Sequence, residues 1–192
     1  MELANELRRI QERFIGHRVR TVVLDTNDLL HYMRFDKIPW QRLFGRGTSV
    51  MIPHVVIDEI DKKSYETHDT GVRKRARGVF ALLERTLAEI EADGHAVVNG
   101  DTVVDVLLDE PGYVRLPNND DEIVARACYL QQAIAPVTVV TRDNGMRDRL
   151  LSWGLKAGVL DEKYKVERLS AAEKAENEQA ITFEVPQEDG NG

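Results

Sequence analysis

The chain has 192 residues, of which 42% are hydrophobic, enough to form one compact domain with a sizeable core. No run of about 18 uncharged apolar residues occurs, so the sequence predicts no membrane-spanning helix and favours a soluble, cytoplasmic protein. The single cysteine, Cys128, excludes an intramolecular disulfide and agrees with a reducing compartment. Its apolar surroundings predict a buried, small hydrophobic side chain.

The net charge of -7 is unevenly distributed along the chain. From position 161 onward there are nine acidic residues against four basic ones, whereas residues 62–78 hold six Lys or Arg against two acidic residues. A basic segment of this kind is suited to binding a phosphate backbone. The acidic residues at the end of the chain offset its positive charge, so the net charge of the whole chain is negative. The same segment is equally consistent with a solvated, charged helix end.

The first predicted element is an amphipathic helix over residues 1–17, which either packs on the body of the protein or pairs with a second copy. The run VRTVVL then predicts a buried parallel strand, followed by a helix at DLLHYMRF. TSVMIP predicts a second strand and VVIDEIDKKS a second helix. The clearest helix covers residues 73–93 and ends at Gly94. Its apolar stripe consists of Phe80, Leu83, Leu87 and Ile90.

The second half of the chain continues the alternation of strands and helices. HAVV and TVVDVLL predict strands, and NNDDEIVARACYLQQA predicts a helix that buries Ile123, Ala127 and Leu130. PVTVVT predicts the next strand, which is followed by the turn RDNG and the helix MRDRLLSWG. This order predicts an α/β fold, a three-layer α/β/α sandwich with a mainly parallel central sheet, over residues 18–166. Residues 167–192 predict a charged C-terminal extension that is partly disordered.

Acidic residues follow the predicted strands, at the sheet edge where such folds bind ligands. Asp25 follows the first strand, Glu59 lies in the helix after the second, Asp143 follows the last, and Asp120 and Asp121 open the helix after RLPNN. Taken singly, each is explained as a helix cap, an Asx turn or a favourable charge near a helix N-terminus. Together they would repel one another by about 1 to 3 kcal/mol per pair. Such a cluster calls for a hard divalent cation such as Mg2+ or Mn2+.

Four segments resemble, in order, the acidic motifs of the PIN domain family, a metal-dependent nuclease fold. They are VVLDTN, IPHVVIDEIDKKS, RLPNNDDEIVARA and VTVVTRDNGMR, and the resemblance covers residues 21–160 with a long insertion between the second and third motifs. It implies hydrolysis of RNA phosphodiester bonds with one or two Mg2+ or Mn2+ ions. The implied catalytic and metal-binding acids are Asp25, Glu59, Asp120 and Asp143, with Asp121 as the competitor of Asp120 for the third position.

The resemblance also implies supporting residues around these acids. Thr26, Asn27 and Thr141 match positions that orient the acids or bound water, and Asn144 is grouped with them as an orienting residue. RNA is the expected partner, and a homodimer, an antitoxin or another protein partner remain open. The residues expected to contact the RNA backbone are Lys62, Lys63, Arg73, Lys74, Arg75, Arg77, Arg142 and Arg147.

Several alternatives remain at this point. The long chain is closer to stand-alone or fused RNA-processing PIN domains than to the compact toxins of toxin–antitoxin pairs, and a PIN scaffold that binds without cutting is a further alternative. A phosphoaspartyl phosphatase would need an acid at position 27, where the chain has Asn27, and no P-loop is present. His31 and His54 lie near the expected cleft but lack zinc-site spacing. Trp40 and Tyr65 either stack on bases or pack on the domain.

Overall fold

The protein is built on a six-stranded sheet with the order β3-β4-β2-β1-β5-β6. The structure is a computed structural model that describes residues 20–99, 102–134 and 136–168. The predicted helix over residues 1–17 and positions 169–192 of the predicted extension lie outside the described residues. The strands are β1 (Arg20–Leu24), β2 (Thr48–Pro53), β3 (Ala96–Val98), β4 (Thr102–Leu107), β5 (Val137–Val140) and β6 (Lys156–Gly158).

The sheet is mainly parallel, as predicted. β1 pairs in parallel with β2 on one side and with β5 on the other, and β4 and β6 extend the sheet in the same direction. Only β3 runs antiparallel, against β4. All six residues of β2 are buried, which requires cover on both faces of the sheet and explains its unbroken apolar sequence. The carboxyl ends of β1, β2, β4 and β5 therefore meet at one edge.

Six helices complete the three-layer α/β/α sandwich in the described ranges. They are α1 (Thr26–His31), α2 (Trp40–Phe44), α3 (His54–Tyr65), α4 (Thr70–Asp93), α5 (Asn119–Ala133) and α6 (Asn144–Ser152). Asp69 caps α4, since its carboxylate accepts a hydrogen bond from the backbone N–H of Val72 at 2.9 Å. Gly94 ends the same helix in the left-handed conformation, with φ of 79°, as its position in the sequence predicts.

Several predicted helix boundaries differ from the structure, among them the start of α4, which lies at Thr70 and not at Arg73. α1 ends at His31 instead of continuing through DLLHYMRF, because Tyr32 forms an isolated bridge with Lys165 and the N–H of Met33 donates to the carbonyl of Tyr164. The chain beyond His31 is thus fixed by contacts with residues more than 130 positions away. α6 begins at Asn144, so half of the predicted turn RDNG belongs to the helix.

Two further features depart from the sequence interpretation. The edge strand β6 was not predicted, because its three residues, KAG, carry no apolar run and are largely exposed. Cys128 on α5 is partly buried against the core, not fully enclosed, and burial raises the pKa of its thiol. No helix in the described ranges is both long and apolar enough to cross a membrane.

Candidate active site

The four predicted acids lie at the shared carboxyl edge of the sheet. Asp25 follows β1 directly, Glu59 lies in α3 after β2, Asp120 lies in the first turn of α5 after β4, and Asp143 lies between β5 and α6. Their charges act on one another: those of Asp120 and Glu59 raise the pKa of Asp25, and those of Asp143 and Glu59 raise that of Asp120, in each case after burial as the first cause. The fold therefore brings all four into one electrostatic cluster.

Asp25 is the most enclosed member of this cluster, with 4% of its surface exposed. It occupies the N-cap position of α1 without making a capping hydrogen bond, although the N–H of Asn27 lies near enough to stabilise its charge. Its carboxylate instead accepts a hydrogen bond of 2.9 Å from the hydroxyl of Thr141. Burial outweighs these contacts and raises the pKa of Asp25 to about 6. Capping therefore does not explain the position of this acid.

Two threonines, Thr26 and Thr141, form hydrogen bonds with the acids, at positions for which the sequence predicts an orienting role. Thr26 donates from its hydroxyl to Oε2 of Glu59 at 2.5 Å, and both Thr26 and Thr141 are buried. Thr141 also accepts a hydrogen bond of 3.1 Å from the backbone N–H of Asp143. For the two asparagines, the predicted role in orienting the acids or bound water stays a prediction. Asn27 and Asn144 are exposed, and neither side chain makes a hydrogen bond to the acids.

Asp143 and Asp120 differ in how far a helix-capping role accounts for them. Asp143 caps α6, because its Oδ1 accepts a hydrogen bond of 2.7 Å from the N–H of Met146. Asp120 does not cap α5; that role belongs to Asn118, whose side-chain oxygen accepts from the N–H of Asp121 at 3.1 Å. Helix capping therefore accounts for the position of Asp143 but not for that of Asp120.

Arg149 on α6 links the two adjacent acids of α5 and was not expected from the sequence. Its Nη1 lies 3.3 Å from Oδ2 of Asp120, and its Nε lies 2.9 Å from Oδ1 of Asp121. Its positive charge opposes the rise in the pKa of Asp120 that burial causes. The guanidinium thus supplies positive charge on one side of the acidic cluster. Because it contacts both Asp120 and Asp121, it does not decide which of them occupies the position of the family's third acid.

Asp28 is a fifth carboxylate at this edge, also missed by the sequence interpretation. It lies one helical turn after Asp25 in α1 and is 4% exposed. Burial and then the charge of Asp25 raise its pKa to about 7, while the guanidinium of Arg142 acts in the opposite direction. The i, i+3 spacing from Asp25 in DTNDLL, on the buried side of a short helix, was the available signal.

The predicted RNA-contacting cations differ in their exposure and in their contacts with the rest of the protein. Three of them are held by the protein itself: Arg73 by the carbonyl of Thr67, Arg77 by that of Ser64, and Arg142 by Glu162 and the carbonyl of Leu160. Lys62 forms an exposed ion pair with Glu66 at 3.5 Å. Lys74 and Arg147 are exposed.

Lys63 and Arg75 belong to a different group, which we name the basic cluster: His31, Lys63, Arg75 and Lys165. After burial, the charges of Arg75, Lys63 and Lys165 lower the pKa of His31, and that of Glu167 raises it. These four residues come from α1, α3, α4 and the segment after β6, and so lie close together only in the folded chain. The cluster lies at the C-terminal end of α1, the helix that starts beside Asp25.

The histidine and aromatic candidates have mainly structural positions. Trp40 is fully buried and donates from Nε1 to the carbonyl of Phe35 at 2.7 Å, so the stacking interpretation is wrong for it. Tyr65 is 57% exposed at the end of α3. His54 lies half-exposed at the rim, where its Nδ1 accepts from the N–H of Asp109 at 3.3 Å.

The chemistry of these residues fits a divalent cation, because the donors are carboxylate oxygens and both oxygens of buried Asp28 lack a hydrogen-bond partner among the described residues. Within the described ranges, however, no three His, Cys, Asp or Glu side chains are close enough to hold one ion together. Mg2+ usually binds one or two carboxylates and keeps several waters. The observed spacing therefore suits a cation held directly by one or two acids and through water by the others.

Comparison with known proteins agrees with this fold. The sequence pattern of the PIN domain family matches residues 22–160, well over half of the 192 residues, and spans all four acids. No curated protein matches the chain. The topology, the acidic sheet edge and this match lead to one assignment: the chain belongs to the PIN domain family.

Proposed function

We propose that this protein is a cytoplasmic, divalent-metal-dependent endoribonuclease that hydrolyses RNA phosphodiester bonds at the acidic sheet edge. PIN domains are in general metal-dependent nucleases. The observation that carries the proposal is the convergence of Asp25, Glu59, Asp120 and Asp143, in which the charges of neighbouring acids raise the pKa of Asp25 and of Asp120. A cluster that destabilises itself electrostatically is expected at a site that binds a cation and is unexpected in a purely structural role.

Each acid has a definable task in this proposal. Asp25, oriented by Thr141, would hold Mg2+ or Mn2+ directly, and Glu59, oriented by Thr26, would bind the ion directly or through water. Asp120 and Asp143 would bind the ion or its water ligands from the opposite helices. When bound, the ion would polarise the phosphodiester and neutralise the charge that develops during attack by water. Because the pKa of Asp25 is about 6, this acid is mostly ionised at pH 7 to 8 and able to bind the ion.

The basic cluster supports a polyanionic substrate. Lys63, Arg75 and Lys165 gather positive charge around His31 at the C-terminal end of α1, although the whole chain is negative. Cations at such a position attract and orient a phosphate backbone, with an affinity that falls as salt rises. We assign the backbone contacts first to Lys63 and Arg75, with the exposed Lys74 and Arg147 as further contributors. Arg73, Arg77 and Arg142 are assigned to structural contacts instead.

The proposal is tested by incubating end-labelled single-stranded RNA, and DNA of the same sequence, with purified protein. Mn2+, Mg2+ and EDTA are compared for the wild type, Asp25→Asn, Asp143→Asn and the control Asp93→Asn, an exposed carboxylate at the end of α4. We expect internal RNA cleavage with the metals, loss with EDTA, and a fall of roughly 100-fold or more in both site variants. The control should cut like the wild type.

The outcomes distinguish this function from the alternatives. Equal cleavage by the wild type and both site variants would place the activity elsewhere or in a contaminant. RNA binding without any metal-dependent cleavage would favour a PIN scaffold over a nuclease. Cleavage of DNA but not of RNA would keep the site and overturn the substrate class.

A further inference from the structure

Asp28 is a buried acid for which the four-carboxylate site provides no role. Its side chain is 4% exposed, and neither Oδ1 nor Oδ2 has a hydrogen-bond partner among the residues that the structure describes. A carboxylate in such an environment loses its hydration without gaining protein donors. The chain therefore keeps an unfavourable group next to Asp25, and this group requires an explanation.

The cation whose charge acts on Asp28, Arg142, does not supply a hydrogen-bond partner for it. Arg142 lowers the pKa of Asp28 only as the last of three causes. Its guanidinium is already engaged: Nη1 lies 3.1 Å from Glu162, Nη2 donates to the carbonyl of Leu160, and its carbon lies 5.6 Å from the ring centre of Tyr32. The hydroxyl of Tyr32, one turn further along, likewise has no hydrogen-bond partner among the described residues.

Asp25 and Asp28 lie on consecutive turns at the start of α1 and both are buried. Two buried carboxylates on one face of a short helix repel each other, and burial strengthens that repulsion. A divalent cation that contacts both would remove the repulsion and satisfy the unpaired oxygens of Asp28 in one step. Asp28 also has the hard oxygen donors that such a cation prefers.

We propose that Asp28 is a ligand of the divalent cation bound at Asp25, so that the site contains five carboxylates. This inference rests on the proposed function in that it uses the same cation site. It concerns binding alone, however, and its test requires no cleavage of RNA.

The experiment measures Mn2+ binding to the full, metal-free chain at pH 7.5 by isothermal titration calorimetry, without RNA. The proteins compared are the wild type, Asp28→Asn, Asp25→Asn, the double variant and the control Asp93→Asn. We expect the Mn2+ dissociation constant to rise about tenfold or more in each single variant and to stay unchanged in the control. If one ion contacts both acids, the double variant should bind less weakly than the product of the single effects predicts.

Thermal unfolding of the same proteins gives a second readout. Removal of the unpaired charge in Asp28→Asn should raise the melting temperature of the metal-free protein, while the further rise on addition of Mn2+ should shrink relative to the wild type. Asp28→Ser, which is smaller and also uncharged, is included in case Asn does not fit the buried position.

Mn2+ affinity of Asp28→Asn and Asp28→Ser within twofold of the wild type would overturn the inference and leave Asp28 as a protonated core residue. Strictly multiplicative effects in the double variant would contradict a shared ion. A protein that binds Mn2+ through Asp28 but cuts no RNA would keep this inference and reject the proposed nuclease.

Discussion

The hydroxyl of Thr141 lies 2.9 Å from Oδ2 of Asp25 and 3.1 Å from the backbone nitrogen of Asp143. One side chain at the end of β5 thus donates to the acid that follows β1 and accepts from the residue that caps α6. Because the two carboxylates belong to segments 118 positions apart (143 minus 25), this hydroxyl fixes their relative position. Its removal should therefore affect the site more than the fold.

We expect Thr141→Val to lower Mn2+ affinity about 10- to 100-fold, as for other residues that orient metal-binding side chains. The free energy of unfolding should fall by about 1 to 2 kcal/mol, because Asp25 and the N–H of Asp143 lose a partner. Calorimetry and urea unfolding measure the two effects. Thr138→Val, the same change at the opposite end of β5, serves as the control. Unchanged Mn2+ affinity in Thr141→Val would show that the hydrogen bond has no role in orienting Asp25.

The sequence predicts much of this arrangement because strand ends are easy to locate. VRTVVL, TSVMIP and PVTVVT are short apolar runs, and the carboxyl ends of parallel strands share one edge. An acid after each run is therefore expected near the others without any further knowledge of packing. Thr141, which directly follows β5, was instead suggested by the family resemblance.

Arg149 and Asp28 could not be identified in this way. The contact of Arg149 with Asp120 joins α5 to α6 across 29 positions, and it depends on how the two helices pack, which no periodicity records. The burial of Asp28 likewise depends on tertiary packing, since α1 contacts α3 and α4 in the folded chain. The choice between stacking and packing stayed open for Trp40 for a related reason, since a Trp is compatible with either an exposed platform or the core until its surroundings are known.

Two substitutions at Asp143 separate its capping role from its charge. Asn is as good an N-cap as Asp, so Asp143→Asn should retain the hydrogen bond to the N–H of Met146, whereas Asp143→Ala should lose it. We expect Ala to lower the free energy of unfolding by about 1 kcal/mol and Asn to change it little in the metal-free protein. Both variants should lose RNA cleavage to a similar extent. Full activity in Asp143→Asn would mean that Asp143 is only a helix cap.

The stability of the metal-free protein should depend on pH through Asp28 and Asp25. Their pKa values are raised from 3.8 to about 7 and about 6 in the folded state, mainly by burial. Between pH values of about 4 and about 7, the folded chain keeps protons on Asp28 and Asp25 that the unfolded chain has released. The free energy of unfolding therefore falls as pH rises from about 4 to about 7. The stabilisation that comes from protonating Asp28 and Asp25 is complete below the pKa that they have in the unfolded chain. It is lost above the pKa that they have in the folded chain.

Asp28→Asn should remove part of this pH dependence. With EDTA present, we expect the variant to be more stable than the wild type by roughly 2 kcal/mol at pH 8, and by much less at pH 5, where Asp28 is protonated in the folded wild type. Urea unfolding at pH 5, 6, 7 and 8 gives the difference directly. A difference that does not change over this range would show that Asp28 does not titrate in the folded protein.

Arg149 provides a test of competition between a side-chain cation and a metal ion. Arg149→Gln should destabilise the metal-free protein, because Asp120 and Asp121 lose their ion pairs of 3.3 Å and 2.9 Å. The rise in melting temperature on addition of Mn2+ should then be larger than in the wild type, since the ion replaces the missing charge. Arg147→Gln, an exposed arginine on the same helix, is the control. An equal Mn2+ response in both variants would contradict the competition.

The basic cluster predicts how RNA affinity responds to salt. Each cation that neutralises a phosphate contributes about 0.7 to the slope of log affinity against log salt for a single strand. Lys63→Gln and Arg75→Gln should therefore each reduce the slope by roughly that amount and weaken binding several-fold at low salt. Fluorescence anisotropy with labelled RNA in Ca2+ or EDTA, between 50 and 300 mM salt, measures both quantities. Arg85→Gln is the matched control, because Arg85 lies on α4 like Arg75 but about 15 Å along the helix, where it pairs with Glu89. If all three variants bind with the wild-type slope, the backbone contacts lie elsewhere, and Lys74 and Arg147 become the next residues to replace.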